Sequence, residues 1–290
     1  MTAPAPPSPL PHAGEVSSRS EPGEGATGRA TPSPGAHRAP TSPARARGEE
    51  DTALARNCRF YDPLWHAADL LPPESFNTWP LIRTLLPATG RRLEIGPGLR
   101  PRLPLAGTDF LDASQVAAGR LARAGGQAAR GSAAALPFPD RAFALIVALD
   151  VIEHVADDAA AFAELARVAI PGAALLLSVP LDPGRWSRFD DTVGHVRRYR
   201  IEALDARLAT QGWQVEASGT FGLRPRFPGL AALGMWFLAH RPAHAMRWYN
   251  RLLPGILRRQ APLVLTPGLT SFDARADEVL LLARRAVTAN

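Results

Sequence analysis

The chain has 290 residues, which is enough for one large domain or two small ones. Hydrophobic residues make up 46% of it, so a sizeable core can form, and the single cysteine, Cys58, excludes a disulfide framework and a cysteine metal cluster. The formal net charge is +6, and the chain contains no lysine, so arginine carries the basic charge. No apolar run reaches the roughly 18 residues that span a bilayer, and no signal-peptide pattern opens the chain. We therefore predict a cytoplasmic protein.

The first ninety residues divide into two segments of different composition. Residues 1–50 are rich in proline, alanine, serine and glycine and show no apolar periodicity. Such a segment cannot bury enough apolar surface to offset the entropy lost on ordering, so we predict a disordered tail. Residues 51–90 contain aromatic and aliphatic residues in two short helical patterns that Pro72 and Pro73 separate, and they predict an N-terminal helical cap.

Residues 91–220 and 276–290 carry the alternating pattern of an α/β domain. Residues 142–149 form a continuous apolar run, which is typical of a parallel strand buried on both faces. The alternation predicts a doubly wound, Rossmann-like sheet of seven mostly parallel strands, with a helical insertion before the last strand. The predicted strands span residues 92–95, 106–111, 127–130, 142–149, 173–179, 213–219 and 279–282, and the predicted helices span residues 115–124, 159–169 and 201–210, with residues 180–200 as a loop.

The predicted insertion, residues 221–275, is basic and rich in aromatic residues. Residues 217–272 contain no aspartate or glutamate but seven arginines, interleaved with aromatic and aliphatic side chains. A helical cap packed on the sheet, with a solvated arginine face, explains this pattern. A segment that contacts an anionic membrane, or that lines a pocket for an acidic or lipid-like acceptor, explains it equally. RNA binding is a third alternative, but no stacking platform is evident and we expect no nucleic-acid partner.

Two glycines follow the first predicted strand in the sequence LEIGPGLR. A strand that ends in Gly96 and Gly98 predicts a sharp turn whose backbone a ligand can approach closely. A dinucleotide fingerprint requires a third glycine three residues further on, and that position is Pro101. The departure argues against NAD and leaves another nucleoside as the predicted ligand.

Five motifs in this order resemble the class I S-adenosylmethionine-dependent methyltransferases. They are LEIGPG, an acidic residue at the end of the second strand, GSAAALPFPD, ALDVIEHV and PGAALLLSVP. The resemblance covers roughly residues 90–220 and the last strand. It implies that S-adenosylmethionine is the cofactor and that Glu94, Gly96 and Gly98 cradle its methionine part. A carboxylate at Glu94 would pair with the α-ammonium group; a solvated charge at the strand end is the alternative.

The same resemblance assigns the nucleoside to residues that follow the next strands. In the family, an acid at the end of the second strand accepts hydrogen bonds from both ribose hydroxyls, and Asp112 fits this position better than Asp109. A helix N-cap is the alternative role for Asp112. The adenine would lie near Ser132, where the family often has an acid, and near Ala133. Asp150, after the fourth strand, completes the predicted cofactor site.

Two histidines are the predicted catalytic residues. His195 lies where the family often places a substrate-side histidine or tyrosine, and it could act as a general base or be a loop histidine bonded to backbone. His154 belongs to an acid-x-x-Glu-His sequence similar to that of ubiquinone-type O-methyltransferases, in which such a cluster can hold Mg²⁺. Because Mg²⁺ prefers oxygen ligands and this group includes an imidazole, we predict no metal and assign Glu153 and His154 to orienting the next turn.

The predicted function is methyl transfer from S-adenosylmethionine by in-line displacement. The expected acceptor atom is an oxygen, nitrogen or carbon of a small-molecule or lipid-like compound. The competing hypothesis is a non-catalytic nucleoside-binding or membrane-peripheral protein that keeps the methyltransferase fold, since fold alone does not establish function.

Overall fold

The computed structural model describes residues 43–223, 227–269, 272 and 275–287. Helix α1, Pro43–Ala67, begins inside the segment that was predicted to be a disordered tail, so that boundary is corrected. The first turns of α1 are rich in alanine, arginine and glutamate, which favour helices even where no apolar periodicity marks them. The rest of the predicted tail, residues 1–42, lies outside the described residues.

A single mixed sheet of eight strands forms the centre of the domain, in the order β3-β2-β1-β4-β5-β8-β6-β7. Strands β1 to β5 run parallel to one another. Strand β8 is antiparallel to β5, and β6 is antiparallel to β8. The strands are β1 Arg91–Ile95, β2 Thr108–Asp112, β3 Gln127–Arg130, β4 Phe143–Leu149, β5 Ala169–Pro180, β6 Trp213–Leu223, β7 Thr266–Pro267 and β8 Ala276–Arg285.

The eighth strand, β7, corrects the predicted count of seven. Its two residues pair antiparallel with Ala217 and Ser218 of β6 at the outer edge of the sheet. Two residues are too few to show a period of two, and an edge strand is one of the few places where a sheet readily tolerates proline. Four of the seven pairings between neighbouring strands are parallel, so the sheet is less uniformly parallel than the alternation predicted.

Helices cover the sheet and form the insertion. The cap helix α2 spans Trp79–Leu85, after a short 3-10 turn at Pro73–Ser75. Side-chain oxygens cap two of the helices on the sheet: Ser114 accepts a hydrogen bond from the nitrogen of Ala117, and Asp157 accepts one from Ala160. The remaining helices are α3 Gln115–Arg123, α4 Asp158–Val168, α5 Arg188–Val193, α6 Ile201–Thr210, α7 Pro228–His240 and α8 Pro242–Leu257.

Helix α5 lies within the predicted loop at residues 180–200, so that prediction was wrong in part. Its six residues are too few for an apolar period, but Ser187 and Asp190 form a capping box at its start. Gly194 ends the helix in the left-handed conformation. This short helix fixes the position of His195, which follows it directly.

The order of the strands positions the candidate site. Strand β1 lies between β2 and β4. The chain continues from β1 to β2 on one side of this position, and from β4 to β5 on the other. Ligands of open α/β sheets bind at the carboxyl ends of strands at such a switch point. No helix among the described residues has both the length and the apolar content to cross a membrane.

Candidate cofactor-binding and active site

The loop after β1 turns through two glycines in the left-handed region. Gly96 has φ +65° and Gly98 has φ +55°, values that other L-residues rarely adopt. A Cβ atom on Gly96 would lie 2.6 Å from a methyl group of Val151, and one on Gly98 would overlap the ring of Trp65. Both glycines are therefore required for the close packing of this loop.

Asp112 joins this loop to the end of β2. Its Oδ2 accepts a hydrogen bond from the nitrogen of Gly98 at 2.8 Å, and its Oδ1 accepts one from the nitrogen of Ser114 at 2.8 Å. Ser114, not Asp112, caps α3, so the alternative N-cap role for Asp112 is wrong. Burial raises the pKa of Asp112 to about 6 despite these hydrogen bonds. Each carboxylate oxygen has a second lone pair, which leaves capacity for two further donors.

Asp109, the rival to Asp112, has a different environment. Its carboxylate accepts hydrogen bonds from the guanidinium of Arg91 at 3.0 and 3.2 Å. It does not line the pocket at the strand ends, whereas Asp112 does. Asp109 and Asp112 are three residues apart, so their side chains lie on opposite faces of the strand, because side chains alternate along it.

Glu94 is buried rather than solvated. Its carboxylate accepts hydrogen bonds from the nitrogens of Arg102, at 2.8 and 3.0 Å, and Leu103, at 2.8 Å. Burial raises the pKa of Glu94 to about 7, against these hydrogen bonds and the charge of the Arg102 guanidinium. The alternative of a solvated charge at the strand end is therefore wrong.

All of the predicted cofactor-binding residues line one pocket at the carboxyl ends of β1, β2 and β4. Ser132 and Ala133 contribute from the segment after β3, and Asp150 contributes from the end of β4. The predicted residues in the pocket are Glu94, Gly96, Gly98, Asp112, Ser132, Ala133 and Asp150, and His154 lines it as well. The structure thus brings together residues that are separated by 60 positions of sequence.

Asp150 has a strained backbone at the end of β4. Its φ is +54°, which is uncommon for a residue other than glycine and is frequent at functional sites. Its nitrogen donates to the carbonyl and the hydroxyl oxygen of Ser178, and the hydroxyl of Ser178 donates to Oδ1 of Asp150 at 2.7 Å. Burial raises its pKa above the ordinary value of a carboxyl group.

His154 lies in a short 3-10 turn, Ile152–His154, at the edge of the pocket. Its Nδ1 is 3.3 Å from the carbonyl oxygen of Gly194. Because a carbonyl oxygen only accepts, Nδ1 carries the proton and Nε2 keeps a lone pair. Burial, followed by the charge of His195, lowers the pKa of His154 to about 3, so this imidazole is neutral at neutral pH.

His195 lies behind His154 and does not itself line the pocket. The two rings meet edge to face with centroids 4.7 Å apart. Nδ1 of His195 is 2.9 Å from Oδ1 of Asp190, which also accepts from Nε of Arg198 at 2.7 Å. Burial alone would raise the pKa of Asp190, but hydrogen bonds from His195 and Arg198 outweigh it and hold that pKa below its usual range. His195 is therefore oriented by a carboxylate rather than bonded to backbone through Nδ1.

Glu153 is a fully buried acid next to both histidines. Neither carboxyl oxygen has a hydrogen-bond partner among the described residues, and the closer one is 3.8 Å from Nε2 of His195. Burial, followed by the nearby charge of Asp150, raises its pKa well above the ordinary value. Glu153, His154 and His195 could hold a metal ion, since one ligand atom from each lies within 4.8 Å of the others.

Among the residues of the pocket lining that sequence reasoning did not assign to the site are Arg102, Tyr61 and Trp65. Arg102 is half-buried, with its guanidinium 3.6 Å from the ring centre of Phe76, and its Nη1 has no hydrogen-bond partner in the described part of the chain. Tyr61 and Trp65 lie one turn apart on α1 and their rings stack at 5.7 Å. Two arginines in a tight loop after the glycines were the available signal for Arg102; the aromatic pair had none beyond its helical spacing.

Comparison with known proteins agrees with the motifs. Residues 102–177 match a family model described as a methyltransferase domain. A segment of 90 residues is 36% identical to a protein of Mycolicibacterium smegmatis named "Probable S-adenosylmethionine-dependent methyltransferase". The match covers 30% of this chain and spans about a third, 34%, of that relative's length.

Solved structures share the fold. The chain superposes on a protein of Galdieria sulphuraria titled "putative sarcosine dimethylglycine methyltransferase" with a TM-score of 0.50, at 15% identity, over 79% of this chain and 98% of that one. A SAM-dependent methyltransferase of Thermotoga maritima gives a TM-score of 0.49 at 18% identity, over 82% and 95% of the two chains. The predicted resemblance is supported over this segment: residues 102–177 match a methyltransferase domain, and the aligned 90 residues are similar to an S-adenosylmethionine-dependent methyltransferase.

Proposed function

We propose that this protein transfers a methyl group from S-adenosylmethionine to an oxygen, nitrogen or carbon atom of a small-molecule or lipid-like acceptor. The observation that carries the proposal is the convergence of the predicted cofactor-binding residues on one pocket, at the strand ends where α/β sheets bind ligands. The match of residues 102–177 to a methyltransferase domain, and the similarity to an S-adenosylmethionine-dependent relative, support the proposal.

The residues of the pocket fit the cofactor group by group. The carboxylate of Asp112 has free acceptor capacity for the ribose hydroxyls. Ionised Glu94 suits an α-ammonium group, and Arg102, with its unpartnered Nη1 among the described residues, suits the cofactor's carboxylate. The bare backbone at Gly96 and Gly98 lets the methionine part lie against the loop.

The transfer itself makes modest demands on the protein. S-adenosylmethionine supplies an activated methyl group, so the chain has to bind both reactants, align them and exclude water. Alignment of two reactants contributes about 7–11 kcal/mol to lowering a barrier of this kind. Because the pKa of His154 is lowered to about 3, its neutral Nε2 suits accepting a hydrogen bond from the acceptor and so orienting it, and His195, held by Asp190, fixes the ring of His154.

The proposal is tested with radiolabelled S-adenosylmethionine and a panel of metabolite and lipid acceptors. We expect micromolar binding of S-adenosylhomocysteine by calorimetry and transfer of label to at least one acceptor class. Binding with no transfer to any acceptor would favour the non-catalytic alternative. Absence of binding would overturn the proposal.

A further inference from the structure

We infer that helices α7 and α8, which we call the hairpin, dock on an anionic lipid membrane. The inference is independent of methyl transfer, because it is drawn from a surface outside the cofactor pocket. Thirteen large apolar side chains are exposed in the described residues, and eleven of them lie within residues 227–269. Scattered exposed apolar residues are normal, but a contiguous apolar surface marks an interaction site.

Helix α7 has no Asp, Glu, Lys or Arg and leaves most of its large apolar side chains exposed, although Leu238 packs against a buried cluster. Leu230, Leu233 and Phe237 share one helical face, since they are three and four residues apart. Leu230 is 68% exposed and Leu233 is 60% exposed. Among the described residues the helix packs mainly against α8 and α5, and this packing leaves the face of Leu230 and Leu233 exposed.

Helix α8 presents three different faces. Met246 and Leu257 are buried, and Met246 packs with residues of α1 and α3. Trp248, Leu252 and Ile256, four residues apart, form an exposed apolar stripe on a second face. A third, basic face beside this stripe is formed by Arg247, Arg251 and Arg258, all of them exposed.

The charge of the hairpin indicates which kind of surface it binds. No acidic residue occurs between residues 217 and 272, and no carboxylate among the described residues forms an ion pair with the arginines of α8. A second copy of this chain would bring these arginines against one another, whereas an anionic bilayer attracts each of them. A tryptophan and a tyrosine beside arginines suit the headgroup region. The helices are too short to span, so they would lie in the plane of the interface.

Contacts of the hairpin connect it to the candidate active site. Asn250 donates to the carbonyl oxygen of Ala67 at 2.9 Å and accepts from the nitrogen of Asp69 at 3.1 Å, which fixes α8 to the end of α1. The ring of Tyr249 lies under the guanidinium of Arg100, a residue that lines the cofactor pocket, at 5.2 Å. A membrane bound to the hairpin would therefore lie beside the mouth of the pocket, which suits a lipid-like acceptor.

Co-sedimentation of the full chain with vesicles tests the inference. Vesicles of phosphatidylglycerol and phosphatidylcholine are compared with vesicles of phosphatidylcholine alone, at low and at high salt. We expect binding to the anionic vesicles that weakens as salt rises. A double variant, Arg247→Gln with Arg251→Gln, should lower the affinity roughly 10- to 30-fold, the effect of removing two cations from a membrane surface. Trp248→Ser with Leu252→Ser should lower it at least as much.

Matched controls separate docking from folding and from catalysis. Arg59→Gln with Arg83→Gln removes two exposed arginines outside the hairpin and should leave vesicle affinity unchanged. Each variant of the hairpin and the arginine control should bind S-adenosylhomocysteine as the parent does, whereas Asp112→Asn should lose affinity for that compound and still sediment with vesicles. The inference is overturned if anionic vesicles at low salt fail to pellet the parent protein. A dimer in solution that dissociates on changing Trp248 and Leu252 would also overturn it.

Discussion

The carboxylate of Asp112 accepts a hydrogen bond from the backbone nitrogen of Gly98 at 2.8 Å. This contact joins the end of β2 to the glycine loop after β1, so one acid shapes the loop that is proposed to hold the methionine part of the cofactor and also faces the proposed ribose position. A change at either residue should therefore affect cofactor binding directly, and the first two predictions follow from this pair.

Replacing Gly98 by alanine should reduce affinity for S-adenosylhomocysteine by about tenfold or more. The new Cβ would overlap the ring of Trp65, and alanine at φ +55° adds strain of order 1 kcal/mol. The control is Gly119→Ala in α3, where the Cβ meets one side-chain nitrogen at 3.7 Å, an ordinary contact, and φ is unexceptional. Calorimetric titration of both variants checks the prediction, and equal affinities would contradict it.

Replacing Asp112 by asparagine should cost roughly 10- to 100-fold in affinity, the equivalent of about 1.5–3 kcal/mol for hydrogen bonds to a charged group. Asp109→Asn is the matched control, because Asp109 precedes it by three residues in the same strand but pairs with Arg91 outside the pocket. Calorimetry with S-adenosylhomocysteine distinguishes the two. A larger loss at Asp109 than at Asp112 would reverse the assignment.

Cofactor affinity should rise with pH between about pH 5 and about pH 8. Burial raises the pKa of Asp112 to about 6 and that of Glu94 to about 7, so both carboxyl groups lose their protons across this window as pH increases. The ionised forms are those that accept from a ribose diol and pair with an ammonium group. Titrations in buffers of different ionisation enthalpy should show proton release below about pH 7, and Glu94→Gln should flatten the profile. A pH-independent affinity would contradict the roles given to both acids.

Changing His154 to glutamine should lower kcat by about 10²-fold, the cost of misplacing an acceptor that its neutral Nε2 would orient, while the affinity for the cofactor changes little. His195→Gln should lower kcat less, since His195 acts by holding the ring of His154. His66, exposed near the end of α1, provides the control substitution. Single-turnover transfer rates measure the effect. An unchanged rate in both variants would mean that neither histidine contributes to positioning the acceptor.

Removal of divalent cations should leave the transfer rate unchanged. Glu153, His154 and His195 are close enough to hold an ion, but burial raises the pKa of Glu153 well above its usual value and so favours its neutral form, which is a poor metal ligand. Dialysis against EDTA followed by a rate measurement tests this. A loss that a divalent cation restores would establish a metal at this cluster.

Long periodic elements and the cofactor motifs could be predicted from the sequence, because each carries a local signal. Gln127–Arg130 and Ile201–Thr210 have the bounds that were predicted, and β1 and β4 differ from prediction by one residue. These elements combine a clear period with glycine, proline or cap residues at their ends. The glycine loop was predictable because its conformation requires glycine.

Features that depend on distant contacts could not be predicted in this way. Strand β7 has two residues and exists because β6 offers it a pairing edge. Glu94 lines the pocket as expected, but the hydrogen bonds that its carboxylate accepts from the backbone nitrogens of Arg102 and Leu103, eight and nine residues further along the chain, were not predicted. His154 and His195, whose rings meet edge to face, are 41 positions apart in the sequence, and no sequence periodicity predicts their contact.

A crystal structure with S-adenosylhomocysteine tests the central claim most directly, because it measures which atoms contact each part of the nucleoside. We predict the ribose hydroxyls within hydrogen-bond distance of the Asp112 carboxylate and the amino-acid end against Gly96 and Gly98. A ribose bound at Asp109, or a nucleoside bound away from the carboxyl ends of β1 and β2, would contradict the account.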